Sequence, residues 1–217
     1  MVWTAIVNPA AGRGRSRKLL PKLRAALAAS DLDVDVVVSA GPDDPARIAR
    51  AAFAAGRDVV ACGGDGLVAE LAGIAAESDG LLAIVPLGAG NDFARTLNID
   101  HRKPLAAVDL LRDGKELLVD LGRVGDRWFT SVANTGFDAE ANRWANGVNR
   151  LSGTTLYVVA VVRTLAVYKP QRLRLTLDDG EPREIRAWLV AFANGDSYAG
   201  GMRIAPSARL DDGALDI

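Results

Sequence analysis

The stretch that decides the fold covers residues 59–95 and reads VVACGGDGLVAELAGIAAESDGLLAIVPLGAGNDFAR. A short apolar run, residues 59–62, stops at two glycines, and a second run, residues 82–86, leads to the turn GAG. Between the runs, apolar residues recur at helical spacing, at Leu67, Leu71 and Ile74. The stretch therefore predicts strand, glycine turn, helix, strand, glycine turn and helix, the pattern of a doubly wound parallel sheet.

Each glycine turn ends in an aspartate, Asp65 in the first and Asp92 in the second. Ligands bind doubly wound sheets at the carboxyl ends of the strands, where such turns meet. Glycines let backbone N–H groups approach phosphate oxygens, and the helix N-termini that follow favour negative charge. A lone aspartate there is often only a helix cap. The repeated arrangement instead predicts carboxylates that hold a cation or accept a proton.

An earlier turn of the same kind, NPAAGRGR at residues 8–15, follows the apolar run 5–7. It leads into a predicted helix over residues 16–29, and four cations lie near its start: Arg13, Arg15, Arg17 and Lys18. The spacing differs from the GxxxxGK[ST] pattern of a P-loop. The residues alone leave two interpretations open, a phosphate site and a solvated basic helix start.

The sequence changes character near Lys115, from alternating strands and helices to antiparallel strands. Before this point we predict a strand at 34–38 and helices at 45–55, 91–97 and 105–111. After it we predict two hairpins, with strands at 116–124 and 127–133 and at 172–177 and 183–193, and two helices, at 139–149 and 154–168. We therefore predict two domains, an α/β domain at residues 1–114 and a β-rich domain at 115–217.

Composition narrows the function class. The net charge of −1 gives no support for nucleic-acid binding, which usually requires a basic excess. Cys62 is the only cysteine, so an internal disulfide is impossible and a reducing cytoplasm is expected. No signal peptide is apparent, and no apolar run approaches the length of a bilayer span. His101, the only histidine, lies on a polar connection, where we expect a surface residue.

The motifs GGDG and PLGAGNDFAR resemble the catalytic domain of the diacylglycerol kinase and sphingosine kinase family of lipid kinases. Further motifs follow in the family's order: the opening NPxxG turn, GFDA at residues 136–139, a glycine loop at 200–201, and a segment at 206–216 that fits PxAxxDDGxLD. The resemblance therefore covers the whole chain. It implies a doubly wound nucleotide-binding domain followed by a β-rich, antiparallel, sandwich-like domain, with ATP in the cleft between them.

The resemblance also implies the roles of individual residues. Asp65 and Asp92 are expected at the reacting centre, with Asp65 as proton acceptor or Mg²⁺ partner and Asp92 in support. Asp212 is expected to hold a structural Mg²⁺, and Asp138 to join its carboxylate network. The nucleotide is expected to contact the three turns and the first part of the helix after GGDG, at Asn8, Pro9, Gly12, Gly14, Arg15, Gly63, Gly64, Gly66, Glu70, Gly88, Gly90 and Asn91.

Three positions depart from the family pattern: Leu67 in place of Thr, Ala69 in place of Asn, and Ala89 in place of a hydroxyl residue. Each change removes a polar group that can contact phosphate or its partners. The leading hypothesis is an ATP- and Mg²⁺-dependent kinase of diacylglycerol. The alternatives are a kinase of a sphingoid base or of NAD, and a catalytically weak regulator that binds nucleotide or lipid.

The same resemblance gives expectations for length, location and assembly. Members of the family continue beyond the point that corresponds to Ile217, so we expect the β-rich domain to be incomplete at its C-terminus. A lipid substrate implies a cytoplasmic protein with transient contact at the inner face of the membrane. A homodimer is a further expectation, because relatives often dimerise.

Overall fold

The computed structural model describes residues 2–136 and 169–217. Its centre is the predicted parallel sheet, with strands in the order β2-β1-β3-β4. The strands are β1 (Val2–Val7), β2 (Asp33–Val38), β3 (Asp58–Gly63) and β4 (Leu82–Pro86). The helices are α1 (Arg15–Ala28), α2 (Asp44–Ala54), α3 (Asp65–Ser78), α4 (Asp92–Thr96) and α5 (Leu110–Asp113), with 3₁₀ helices at Ala11–Gly14 and Pro104–Val108.

Two apolar layers cover the two faces of the sheet, because side chains alternate along each strand. On β1, Ile6 joins one layer with residues of α2, α3 and α4, while Ala5 and Val7 join the other with residues of α1 and α5. Leu71 of α3 is fully buried in the first layer, together with Leu67 and Ile74 as the spacing predicted. The predicted doubly wound fold is therefore confirmed.

Shorter strands follow the sheet, as predicted for the second half of the chain. They are β5 (Gly122–Val124), β6 (Arg127–Phe129), β7 (Val132–Gly136), β8 (Gln171–Leu175), β9 (Arg183–Ala187), β10 (Leu189–Ala193), β11 (Ser197–Tyr198) and β12 (Met202–Arg203). β5–β6, β8–β9 and β11–β12 are antiparallel hairpins, and β7 pairs with β10. This confirms a β-rich, antiparallel region after a parallel sheet.

The chain packs as two units. The first contains Met1–Val132 and Ala193–Asp216, and the second contains Ala133–Phe192 with Ile217. The boundary after Gly114 stays a prediction. Within residues 2–136 and 169–217, no helix has the length and apolar character needed to cross a bilayer.

Two of the predicted elements before residue 125 are wrong in detail. Residues 105–111 do not form one helix, because Ala106 and Asp109 donate to carbonyls three residues back and give a 3₁₀ turn before α5 begins. The strand predicted over 116–124 is formed only at Gly122–Val124. The last pair of its hairpin joins Gly122 to Phe129, so residues 116–121 extend past the end of the partner strand.

Two predicted strands in the β-rich region are each divided in two. The run 127–133 breaks at Thr130 and Ser131, because their carbonyls accept hydrogen bonds from Asn194 and Gly195 and leave the hairpin ladder. The run 183–193 breaks at Trp188, because β9 pairs with β8 while β10 pairs with β7. The helices predicted at 139–149 and 154–168 lie outside the described residues.

The β5–β6 hairpin packs on helix α3 through Trp128. Trp128 of β6 lies directly over Gly73, where a Cβ would overlap the indole ring. The indole N–H donates to Glu77, one turn further along the helix, at 3.2 Å, and the guanidinium of Arg123 lies 5.0 Å from the ring centre. Glycine at position 73 therefore leaves the space that the Trp128 ring occupies on helix α3.

We predict that Gly73→Ala lowers the free energy of unfolding by about 1–3 kcal/mol, because the added methyl group overpacks the Trp128 contact. Gly66→Ala is the matched control in the same helix, since a Cβ there meets no atom within 4 Å. Denaturant unfolding of both variants measures this cost, and adding Trp128→Ala alone and combined with Gly73→Ala measures the coupling between positions 73 and 128. Equal stability of the two glycine variants contradicts the prediction.

Candidate functional site

Three turns lie side by side at the carboxyl ends of β1, β3 and β4. The N–H of Asn8, after β1, donates to the carbonyl of Cys62 in β3 at 3.1 Å. The N–H of Leu87, after β4, donates to the carbonyl of Gly63 at 2.8 Å. The three glycine turns, which were predicted from separate parts of the sequence, therefore meet at one edge of the sheet. We call them the phosphate-type turns.

The turns approach so closely that only glycine fits between them. A Cβ on Gly88 would overlap the α-carbon of Gly64 and lie 2.8 Å from Oδ1 of Asn91. Gly12 has a φ of +57°, and a Cβ there would lie 2.5 Å from the carbonyl oxygen of Leu87. Backbone therefore packs directly on backbone at these two glycines.

The side chain of Asn91 shapes the turn after β4. Asn91 is buried, with a left-handed φ of +54°. Its carboxamide accepts a hydrogen bond from the N–H of Gly88 at 2.8 Å and donates to the Gly88 carbonyl at 3.0 Å. The predicted nucleotide contact Asn91 thus uses its side chain inside its own turn.

Asp65, the first residue of α3, bonds across to the next turn. Its carboxylate accepts hydrogen bonds from the N–H groups of Asn91 at 2.8 Å and Phe93 at 3.3 Å. A Cβ on Gly90 would lie 2.8 Å from Oδ2 of Asp65 and 3.1 Å from Oδ2 of Asp92. The two predicted carboxylates are therefore brought together beside the α-carbon of Gly90.

The environment of Asp65 makes its carboxylate a stronger base than an ordinary aspartate. Burial is the main cause that raises the pKa of Asp65 above the ordinary aspartate range, and the negative charge of Asp92 adds to it. The backbone N–H groups of Phe93, Asn91 and Asp92 oppose this shift. A carboxylate with a raised pKa binds a proton more readily, as a general base requires.

Asp92 is 7% exposed and bonds to a part of the chain 108 residues away. Both of its oxygens accept from the N–H of Gly200 at 3.0 Å, and Oδ1 also accepts from the N–H of Gly201 at 2.6 Å. These glycines lie in the β11–β12 turn, which the site prediction did not include. The adjacent glycines in the sequence were the only signal for this contact.

Cationic residues border the same edge. Arg15 is exposed at the start of α1, and its Cβ lies against Gly12. Arg95 donates through Nε to the carbonyl of Gly90 at 3.0 Å, a contact that the site prediction also missed. Pro9 and Gly14 belong to the turn between β1 and α1, and Gly66 to the first turn of α3.

Glu70 and Cys62 lie close to the turns in sequence but face other surroundings. Glu70 is exposed on α3, and partial loss of solvent around its carboxyl raises its pKa, together with the charge of Asp43 and against the opposite effect of Arg50. Cys62 is fully buried at the end of β3, and burial raises the pKa of its thiol to about 12. Cys62 is therefore a packing residue.

The predicted metal ligands are only partly described. Asp212 is exposed, and its Oδ1 accepts from the N–H of Ala214 at 3.1 Å, while Asp120 accepts from the N–H of Gly213 at 2.7 Å. Asp138 lies outside the described residues. Across residues 2–136 and 169–217, no three His, Cys, Asp or Glu side chains form a group that could hold a metal ion. The described residues near Asp212 therefore do not by themselves fit a structural Mg²⁺.

Comparison with known proteins gives the family. The model of the diacylglycerol kinase catalytic domain matches residues 2–124. The chain belongs to the diacylglycerol kinase catalytic domain family. Residues 131–217 match a second model, the YegS C-terminal NAD kinase beta sandwich-like domain. The resemblance identified from the motifs is confirmed, and membership of this family supports a kinase.

Relatives in this family match nearly the whole chain. A diacylglycerol kinase of Mycobacterium tuberculosis is 37% identical over 220 residues, which cover 99% of this chain and 71% of the relative. A protein of Chromohalobacter salexigens named probable lipid kinase YegS-like is 36% identical, over 94% of this chain and 68% of its own length. The crystal structure of a diacylglycerol kinase from Bacillus anthracis has a TM-score of 0.74 at 31% identity, and covers 99% of this chain and 71% of that one.

We predict that Gly88→Ala destabilises the site, because its Cβ would overlap Gly64 and displace one of the converging turns. Gly41→Ala is the control, since a Cβ at that exposed loop position meets no atom within 4 Å. Thermal unfolding with and without ATP measures both stability and nucleotide binding. We expect Gly88→Ala to lower the melting temperature and to abolish the shift caused by ATP. Two variants that behave alike contradict this packing.

Proposed function

We propose that this chain is an ATP-dependent lipid kinase that transfers the γ-phosphoryl group of ATP to the hydroxyl of diacylglycerol and forms phosphatidic acid. The observation that carries the proposal is the convergence of three glycine turns, with Asp65 and Asp92 both beside Gly90. Family membership supports the phosphotransfer, and the names of the relatives support a lipid acceptor.

The nucleotide phosphates would bind at the three turns. The first N–H groups of α3 have no acceptor within their own helix, and the helix dipole adds positive charge there. Arg15 at the start of α1 adds a cation that can bind a phosphate oxygen. Mg²⁺ bound with the nucleotide would neutralise the charge of the phosphate groups.

Asp65 would accept the proton of the lipid hydroxyl. The hydroxyl oxygen forms a bond to the γ-phosphorus, the bond from that phosphorus to the β,γ-bridging oxygen breaks, and ADP leaves with the electron pair. The proton passes to the Asp65 carboxylate, whose raised pKa favours this transfer. The N–H groups of Asn91 and Phe93 would hold the carboxylate in a fixed orientation during the step.

A lipid acceptor would reach the site from a membrane surface, and we propose a cytoplasmic protein that contacts the inner face of the membrane transiently. Leu117 and Leu118 support such a contact, since their exposed fractions are 64% and 96% and Lys115 lies two residues away. A homodimer stays a prediction.

The second candidate function is a nucleotide- or lipid-binding regulator with weak catalysis. Leu67 supports it, because this side chain is buried over Gly63 at a position where the family pattern has a hydroxyl. Other acceptors also stay open. The match to an NAD kinase-like domain supports a test of NAD, and a sphingoid base is a further lipid alternative.

The decisive assay offers labelled ATP and Mg²⁺ with vesicles that contain diacylglycerol, with sphingosine, and with NAD, each in turn. We expect labelled phosphatidic acid to form, and we expect none when Mg²⁺ is chelated. Transfer to NAD alone overturns the lipid proposal, and transfer to sphingosine alone changes the acceptor. Tight ATP binding without transfer to any of the three supports the regulator.

We predict that Asp65→Asn lowers kcat by about 10²–10⁴-fold and leaves the fold intact, because the carboxamide cannot take the hydroxyl proton. In the unchanged protein, activity should fall as the pH is lowered through the raised pKa of Asp65, at a pH above the ordinary aspartate range. Asp79→Asn, at the other end of α3, is the matched control. An unchanged kcat in Asp65→Asn would show that Asp65 is not the proton acceptor.

A further inference from the structure

Helix α4 is connected to a hairpin that lies about 100 residues further along the chain. We call residues 197–203, which comprise β11, the turn 199–201 and β12, the glycine hairpin. Ala199, Gly200 and Gly201 all have positive φ, of +54°, +92° and +101°. Successive N–H groups in such a turn point to one side and form a concave site for an anion. The anion that occupies this site is the Asp92 carboxylate.

Asp92 contacts the tip of the glycine hairpin, while other residues fix its base. Just before the hairpin, Asn194 is fully buried and donates through Nδ2 to the carbonyls of Asp120 and Thr130, at 2.8 and 2.9 Å. The N–H groups of Asn194 and Gly195 both donate to the carbonyl of Ser131. The base is therefore held without Asp92, and the tip depends on it.

Two neighbours of Asp92 on α4 support the same contact. The Arg95 guanidinium lies against Gly201, since a Cβ on that glycine would be 3.2 Å from one of its Nη atoms. The hydroxyl of Thr96 bonds to Oδ1 of Asp196, which precedes the hairpin, at 3.2 Å. Three side chains of one short helix therefore face the hairpin and the residue before it.

The tip of the hairpin lies next to the phosphate-type turns. A Cβ on Gly90 would be 3.7 Å from the nitrogen of Gly200, in addition to its contacts with Asp65 and Asp92. Asp65 in turn holds the N–H groups of Asn91 and Phe93, on either side of Asp92. One series of hydrogen bonds thus runs from the start of α3, through the start of α4, to Gly200 and Gly201.

The structure assigns Asp92 a positioning role: its carboxylate holds the glycine hairpin against the Gly88–Gly90 turn, so that the hairpin forms a fourth wall of the phosphate site. The wall places the backbone of Gly200 and the Arg95 guanidinium beside Gly90. The consequence for catalysis rests on the proposed kinase function, but the hydrogen-bonded contact does not. Asp92 acts through the hairpin, and Asp65 stays the proton acceptor.

The first test measures amide hydrogen exchange in the full chain without ligand. We expect Asp92→Asn to speed exchange at Gly200 and Gly201 by about tenfold or more, because the carboxamide is uncharged, which weakens both N–H bonds, and its nitrogen cannot accept the bond that Oδ2 accepts from Gly200. Exchange at Asn194 and Gly195 should stay unchanged, since their acceptor is the carbonyl of Ser131. Asp100→Asn, which removes a nearby exposed carboxylate, is the matched control. Unchanged exchange at the tip in Asp92→Asn overturns the positioning role.

The second test measures ATP binding by calorimetry and turnover as a function of pH. A positioning role predicts that Asp92→Asn weakens ATP binding by about tenfold and lowers kcat, while the acid limb set by Asp65 stays in the pH profile. Loss of that limb with unchanged ATP affinity assigns Asp92 to proton transfer and overturns the proposal. If exchange at Gly200 and Gly201 is faster while ATP affinity and turnover are unchanged, the contact made by Asp92 does not affect the reaction, and that part of the proposal is overturned. If no acceptor is phosphorylated even by the unchanged protein, the kinase proposal fails, while the exchange and ATP-binding results still decide the positioning role.

Discussion

The approach of backbone to backbone at Gly64 and Gly88 is the constraint on which the rest of the site depends. Parallel strands β3 and β4 bring the two turns to one edge, and the absence of side chains lets them touch. Because the turns touch, Asp65 can bond to the N–H groups that follow the second turn. Separation of the turns by the width of one methyl group would break these bonds and move both carboxylates.

Much of this arrangement follows from local sequence. Apolar runs that end at glycines predicted the strands and their parallel arrangement, because buried parallel strands read as continuous apolar segments. The helical spacing of Leu67, Leu71 and Ile74 predicted the buried face of α3. Since the carboxyl ends of such strands share an edge, the meeting of Asp65 and Asp92 was also predictable. The motif order then gave the family.

What the sequence could not predict depends on distant partners. The residues next to Asp92 in the sequence do not indicate that its carboxylate bonds to Gly200 and Gly201, because the glycine hairpin reaches Asp92 only in the folded chain. The breaks at residues 130–131 have the same cause, since the carbonyls there bond to Asn194 and Gly195. Residues that read as continuous strands were interrupted by hydrogen bonds to segments more than 60 residues away.

Cys62 adds a chemical property to this edge of the sheet. Its thiol is fully buried at the end of β3, directly before the first glycine turn, and its pKa of about 12 leaves almost no thiolate at neutral pH. The thiolate is the nucleophile that reacts with oxidants and alkylating reagents, and these reagents need access to it. Cys62 therefore resists oxidation and alkylation for as long as the sheet stays closed, and the end of β3 directly before the first glycine turn keeps an unmodified side chain.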